Sequence, residues 1–271
     1  MNYLEQSWKD LTVELDGQLL WVTLNRPQAS NAYSSELVES LITVLRLADE
    51  DRNVRVMILT GAGKNFCAGG DIKAMKNKSG MFSGEPNELR EAYQNGIQKI
   101  PRTINHLKTP IIAMINGAAV GAGCDLAAMC DLRIASEEAS FAETFAKVGL
   151  VPGDGGAYFL IRAIGFAKAM EMFLTGKTYS ALEAKELGLV TQVIPHTKLR
   201  EETRNIALKM SEIPPIALQM TKKSLLNAYH SNLDSHLELV SAMQGIAQRT
   251  EDHFTALEGM MEKKKKTFKH F

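Results

Sequence analysis

The stretch Ile115-Asn116-Gly117-Ala118-Ala119-Val120-Gly121-Ala122-Gly123-Cys124-Asp125-Leu126-Ala127-Ala128-Met129-Cys130-Asp131 decides how the rest of the chain is read. It reads as a strand end, a glycine turn and the first turns of a buried helix. Small residues at Gly117, Ala118, Gly121, Ala122 and Gly123 let another backbone or a ligand come close. Free N–H groups at a helix start favour negative charge. Asp125 then falls in the first helical turn, ahead of the apolar run Leu126 to Cys130, where a solvated acid has no place. Oxyanion-binding amides beside a carboxylate are the parts of a carbonyl-activating enzyme. A tight turn with a helix-starting Asp is the plainer reading.

Working outward, Thr109 to Asn116 leads into this stretch as a strand, and Val54 to Thr60 is a second, suited to cover on both faces. Gln18 to Leu24 is a third, ended by Asn25-Arg26-Pro27. A helix starts near Asn31 or Ser34, with Leu37, Leu41, Val44, Leu45 and Ala48 on one face. The glycine loop Gly61 to Ile72 matches neither the P-loop nor the dinucleotide spacing. Lys76 to Glu88 reads as a mobile loop, and Glu88 to Leu107 as helix interrupted near Pro101. Leu132 to Ala135 reads as a strand and Ser140 to Phe145 as a short extended piece. Val148 to Gly156 is another glycine-rich turn, opening a helix that carries Tyr158, Leu160, Ile161 and Ile164. Ser180-x-x-Glu183 is a capping box, and Gly188 stops that helix. From Lys198 onward the signals are helical only. The boundary therefore falls near residue 200, with an α/β core over 1–200 and a helical segment over 201–271.

Length and charge bound the rest. The 271 residues suffice for one large α/β domain. Lys+Arg 31 against Asp+Glu 31 argues for neither nucleic acid nor an anionic membrane as partner. Cys67, Cys124 and Cys130 form no CxxC pair and read as reduced thiols of a cytoplasmic protein. The start of the chain reads as neither signal nor transit peptide. His106, His196, His230, His236, His253 and His270 match no metal spacing, so no metal is expected.

Leu24-Asn25-Arg26-Pro27, the loop Phe66-Cys67-Ala68-Gly69-Gly70-Asp71-Ile72, the opening stretch and the turn Val148 to Gly156 together resemble the crotonase superfamily of enoyl-CoA hydratases, enoyl-CoA isomerases and relatives. The resemblance runs from about Val13 to Lys269. It implies a spiral of ββα units with a C-terminal helical segment that builds a homotrimer or a dimer of trimers. It implies an acyl-CoA or enoyl-CoA substrate, with coenzyme A as part of that substrate and no separate cofactor.

By the same resemblance the N–H groups of Gly70 and Ala122 form the oxyanion hole. Gln28, Ala29 and Ser30 line the coenzyme A path, with Ala68, Gly70, Asp71 and Ile72 on the facing loop. Lys263 approaches the phosphates, often from a neighbouring subunit. Asp71 reads as the cap of the helix that follows the loop.

Typical hydratases place two glutamates, about twenty residues apart, around one water. Here the first position is Asp125, with roughly 1.3 Å less reach. The second is Phe145, which moves no proton. Glu143, two residues early, and Asp154, one residue beyond the acid of some isomerase-like relatives, are the candidates to compensate. One carboxylate suffices for a double-bond shift, so the pattern leans toward isomerase-like or unusual hydratase chemistry by Asp125. A crotonase-family thioesterase or C–C hydrolase, and a non-catalytic acyl-CoA binding protein, are the alternatives.

Overall fold

The computed structural model describes residues 3–269. In chain order its strands are β1 (Leu11–Asp16), β2 (Leu19–Leu24), β3 (Val56–Gly61), β4 (Ile111–Ile115), β5 (Ala118–Val120), β6 (Leu132–Ser136), β7 (Ser140–Ala142), β8 (Thr178–Ser180) and β9 (Gln192–Ile194). The α-helices are α1 (Ser35–Glu50), α2 (Ile72–Lys76), α3 (Pro86–Asn95), α4 (Lys99–His106), α5 (Ala122–Met129), α6 (Gly156–Ile164), α7 (Phe166–Thr175), α8 (Ala181–Leu187), α9 (Leu199–Ser211), α10 (Pro215–Ala228), α11 (Leu233–Ala247) and α12 (Glu251–Glu262).

The apolar runs set the centre. β3 and β4 are buried at every position, as strands covered on both faces must be. They lie inside a six-stranded sheet of order β1-β2-β3-β4-β6-β9, antiparallel between β1 and β2 and parallel elsewhere. Alternate side chains face opposite layers. Leu20, Val22, Met57, Leu59 and Ala113 join the core that holds the buried faces of α1, α4 and α5. Leu19, Trp21, Val56, Ile58 and Ile112 meet Leu199 and Ala207 of α9. α9, the first of the C-terminal helices, thus closes one face of the central sheet. The smaller sheet, of order β5-β7-β8, stands over the start of α5.

Caps fix where helices begin. Ser34 Oγ accepts from Leu37 N at 3.0 Å, so α1 starts at the later of the two expected places. Ser180 and Glu183 form the expected capping box, and Gly188 ends α8 in the left-handed region.

Four readings need correction. β1, β8 and β9 are additional strands; the alternation of Leu11, Val13 and Leu15 with polar residues is the mark of the half-exposed edge that β1 forms. β5 intervenes between the strand end and the helix of the opening stretch, where alanine gives little strand signal. The expected break at Pro101 lies instead at Gly96 to Gln98; Pro101 sits in the first turn of α4, where a missing N–H is harmless. Lys76 to Glu88 contains a 3-10 turn, Gly80–Phe82, and the start of α3. His270 lies outside the described residues.

Asn31 ties two site-bearing loops together. It is fully buried with φ 56°, a conformation asparagine tolerates. Its Nδ2 donates to the carbonyls of Ala62 at 2.9 Å and Asn65 at 2.8 Å, and its Oδ1 accepts from Arg26 N at 2.9 Å. Replacing Asn31 by Ala leaves these buried backbone groups unpaired. The expected loss is about 2–4 kcal/mol of unfolding free energy, read from urea denaturation.

Candidate active site

Two loops meet at the start of α5. Cys67 N donates to Ala118 O at 3.1 Å, and Val120 N to Cys67 O at 3.0 Å, so the loop after β3 is laced onto β5. The contact leaves no room for side chains. A Cβ on Gly69 would stand 2.6 Å from Val120 O and 2.8 Å from Ala122 N, and one on Gly123 would overlap the Cys67 carbonyl. Gly121 turns the chain at φ 53°, and α5 begins at Ala122. The N–H groups of Gly70 and Ala122 donate to no protein acceptor among the described residues. The Met75 side chain lies against Gly70, with Phe82 behind it.

Asp71 caps α2, accepting from Lys73 N at 3.0 Å and Ala74 N at 3.1 Å. It also pairs with Arg26 at 3.0 Å, and the Ala74 N–H first, then Arg26, hold its carboxyl below the usual range. The helix that follows Gly70 is thereby anchored to the loop after β2.

Asp125, Glu143 and Asp154 converge. Their exposures are 0%, 0% and 3%, and none of their carboxyl oxygens receives a well-formed hydrogen bond from the protein. Asp125 is the centre, with both others as its nearest charged neighbours. Burial, then the Glu143 and Asp154 charges, raise the Asp125 carboxyl well above the usual range. Burial pushes Glu143 up to about 8. Asp154 is also raised by burial, against an opposing pull from Asp125 and from the N–H groups of Asp154 and Gly156. Like charges this close in a dry site cannot all ionise.

Local backbone explains the convergence. β7 pairs with β5 so that Ala142 stands opposite Val120, and Gly121 N donates to Ala142 O at 2.7 Å. The strand stops there. Glu143 falls beside the first turn of α5, against Cys124 and Asp125. Phe145 enters a 3-10 turn, and its ring lies 3.8 Å from a Cβ placed on Gly121. Gly155, at φ 94°, turns the chain into α6, and a Cβ on Gly156 would overlap the Asp125 carboxyl. Only glycine admits the acid there.

The two flanking acids face different surroundings. Asp154 acts electrostatically on Tyr33 and Cys67, beside the Gly70 loop, and on Tyr93 of α3. Of the three acids, Glu143 acts most strongly on Cys124 and Asp154 most weakly. The sequence pattern points to neither Tyr33 nor Tyr93, and to Gly156 only as the end of a glycine-rich turn. Tyr33 is buried, with its hydroxyl 3.2 Å from Ala122 O, and Tyr93 lies 3.0 Å from a Cβ placed on Gly153. Tyr33, just ahead of α1, and Tyr93, within α3, carry no local signal of either contact.

Of the other expected residues, Gln28 and Ala29 form a 3-10 turn, and Ser30 is joined to the loop by Ala68 N to Ser30 O at 3.0 Å. Ile72 is 68% exposed at the start of α2. Lys263 ends α12 at φ 54°, and the tail after it docks through Lys265 on Glu212 and through the Phe268 carbonyl on Arg55. That docking lies at the N-terminal end of β3, whereas Gln28, Ala29 and Ser30 lie beyond the C-terminal end of β2.

Free backbone donors beside buried carboxyls are the arrangement of an α/β enzyme that works on a carbonyl compound. The chain belongs to the enoyl-CoA hydratase/isomerase family, whose profile, described as Enoyl-CoA hydratase/isomerase, matches residues 14–270. It is 36% identical over 267 residues to a probable mitochondrial enoyl-CoA hydratase of Dictyostelium discoideum, covering 98% of this chain and 93% of that one. It is 34% identical to a short-chain-enoyl-CoA hydratase of Clostridium acetobutylicum, covering 94% and 96%. The crystal structure of an enoyl-CoA hydratase from Bacillus anthracis superposes with a TM-score of 0.91 at 34% identity, covering 97% and 100%. The crotonase fold and an acyl-CoA substrate follow from that membership.

Proposed function

We propose that this enzyme shifts the double bond of an unsaturated acyl-CoA, with Asp154 and Asp125 moving the proton under an oxyanion hole formed by the N–H groups of Gly70 and Ala122. The observation that carries the reading is the closed trio of carboxyls beside Ala122, with Phe145 where a hydratase has its second glutamate. A dry site with an aromatic ring at its edge suits transfer between carbons more than capture of a water.

The roles follow from the surroundings. Asp154 meets the most offsetting donors, which makes it the base in this reading. It takes a proton from the carbon next to the thioester or from the vinylogous one. The electron pair moves onto the thioester oxygen, held by the two amides. Asp125, protonated, gives its proton to the other carbon, and Asp154 passes the one it took back to Asp125. No atom is gained or lost.

Coenzyme A lies along Gln28, Ala29, Ser30, Ala68, Asp71 and Ile72, and Lys263 reaches the phosphates from a neighbouring subunit of a homotrimer or dimer of trimers. The monomer supports such an assembly, because α11 buries no residue and exposes Leu233 and Leu237. No helix among the described residues is long and apolar enough to cross a membrane, and the free cysteines fit the cytoplasm.

Hydration is the second reading, favoured by the names of the relatives. A panel of conjugated and non-conjugated enoyl-CoA thioesters separates the two. Isomerisation changes the conjugated-enoyl absorbance without changing product mass, whereas hydration adds the mass of water. Binding with no product supports a carrier, and release of free coenzyme A supports the thioesterase alternative.

A further inference from the structure

The mechanism above leaves one member of the trio unused. Glu143 is completely buried, has no well-formed hydrogen bond and lies against Cys124 and Asp125. The titratable groups facing it are Asp125 and Cys124 from α5 and Asp154 from the turn before α6. Lys147, on the turn that follows Glu143, donates to Gly176 O at 2.5 Å instead.

Resting on the double-bond-shift reading, we infer that Glu143 is a positioning residue: its protonated carboxyl donates to the Asp125 oxygen turned away from Asp154, and so orients Asp125 and stabilises the charge left there after proton delivery. Geometry supplies the reason. The buried Asp125 carboxyl receives no backbone donor, and a carboxylate appearing there during turnover has only the newly protonated Asp154 on one side and Glu143 on the other to donate to it. Glu143 can do so only while protonated. A carboxyl pushed up to about 8 remains so at neutral pH. When it ionises, it places a second charge beside Asp125 and withdraws the donor. Turnover is therefore retained below that pH and lost as pH rises through it.

Glu143→Gln keeps a neutral donor that cannot ionise, and Glu143→Leu removes the donor. The expected result is that kcat of the unmodified enzyme falls above about pH 8 and that the fall is absent in Glu143→Gln. In Glu143→Leu, kcat at neutral pH drops about 10–100-fold with KM unchanged, and the glutamine variant recovers most of it. A fall above that pH that persists in Glu143→Gln overturns the inference. So does a KM change shared by both variants, which would put Glu143 on the substrate. Infrared difference spectra of the protonated-carboxyl stretch, taken without substrate from about pH 6 to about pH 10, give a readout independent of turnover. One band should titrate in the unmodified protein and be missing from Glu143→Gln. If the enzyme isomerises nothing yet this band behaves so, the function reading fails and the Glu143 assignment stands. An unaltered band overturns the assignment.

Discussion

Replacing Asp125 by Asn is expected to lower kcat on the preferred unsaturated acyl-CoA by about 10³-fold while leaving the fold more stable at neutral pH. The activity loss follows from its central place. Asp125 lies beside both other carboxyls and stands three residues after Ala122 on the same helix, so in the proposed cycle it is the acid that delivers a proton to substrate and is recharged by Asp154. The amide keeps the shape and cannot give up a proton at an accessible pH. KM should change little, because the amides of Gly70 and Ala122 and the coenzyme A path are untouched.

The stability gain follows from linkage. Asp125, Glu143 and Asp154 have folded-state values raised above their ordinary ones of 3.8, 4.5 and 3.8. The native chain therefore binds more protons than the unfolded chain between those values and the raised ones. The trio's contribution is most favourable below the ordinary values and is lost as pH rises toward about 8, where Glu143 ionises. Asn removes one of the interacting acids and lowers the burden on the remaining two. A gain of ~1 kcal/mol would appear as a rise of about 2–4 °C in thermal midpoint at neutral pH. The gain should shrink toward acid pH, where the unmodified trio is neutral. Loss of activity together with a fall in midpoint would instead mark Asp125 as a structural group. Activity that survives would remove it from the proton path.

Much of this was legible where one pattern determines one element. The β-branched run of β3, the apolar face of α1 and the capping box of α8 each needed only local chemistry. β5 was illegible because three small residues become a strand only by pairing with β7. The site divides in the same way. Asp125 was readable from its place in an apolar helix after a glycine turn. Glu143 and Asp154 could be named only as candidates, since nothing local says which way either acid turns. Glu143 turns inward because β7 stops at Ala142, opposite Val120. Asp154 is turned in by the left-handed Gly155. Both facts belong to a strand register and a turn, and no spacing along the chain encodes them. Phe145 stands where the sequence lacks the second glutamate; folded, its ring lies beside the Gly121 turn.

Gly123→Ala should be as damaging as loss of the acid, by a different route. The added methyl would overlap the Cys67 carbonyl and stand 2.9 Å from Cys67 Cβ. Neither neighbour can swing aside. Cys67 O accepts from Val120 N at 3.0 Å, Cys67 N donates to Ala118 O at 3.1 Å, and Cys67 Sγ bonds Asn31 O at 3.1 Å. Relief therefore requires α5 to move bodily from the loop after β3, and that separation parts the N–H of Ala122 from that of Gly70. Overpacking of this kind costs about 1–3 kcal/mol, so the variant should fold with a lowered urea midpoint. The catalytic loss should be larger than the stability loss suggests. An oxyanion donor displaced by even one ångström forfeits about 10²-fold or more, and here both donors shift relative to each other. The expected signature is a fall in kcat/KM of at least about 10²-fold, with weak binding of unreactive acyl-CoA retained. Gly149→Ala supplies the contrast: its Cβ would meet nothing, although its φ of 72° makes it a strained site too. If both alanine variants lost only stability, the contact at Gly123 would be packing and nothing more. If Gly123→Ala alone lost turnover, the closeness of the two loops would be what holds the oxyanion hole together.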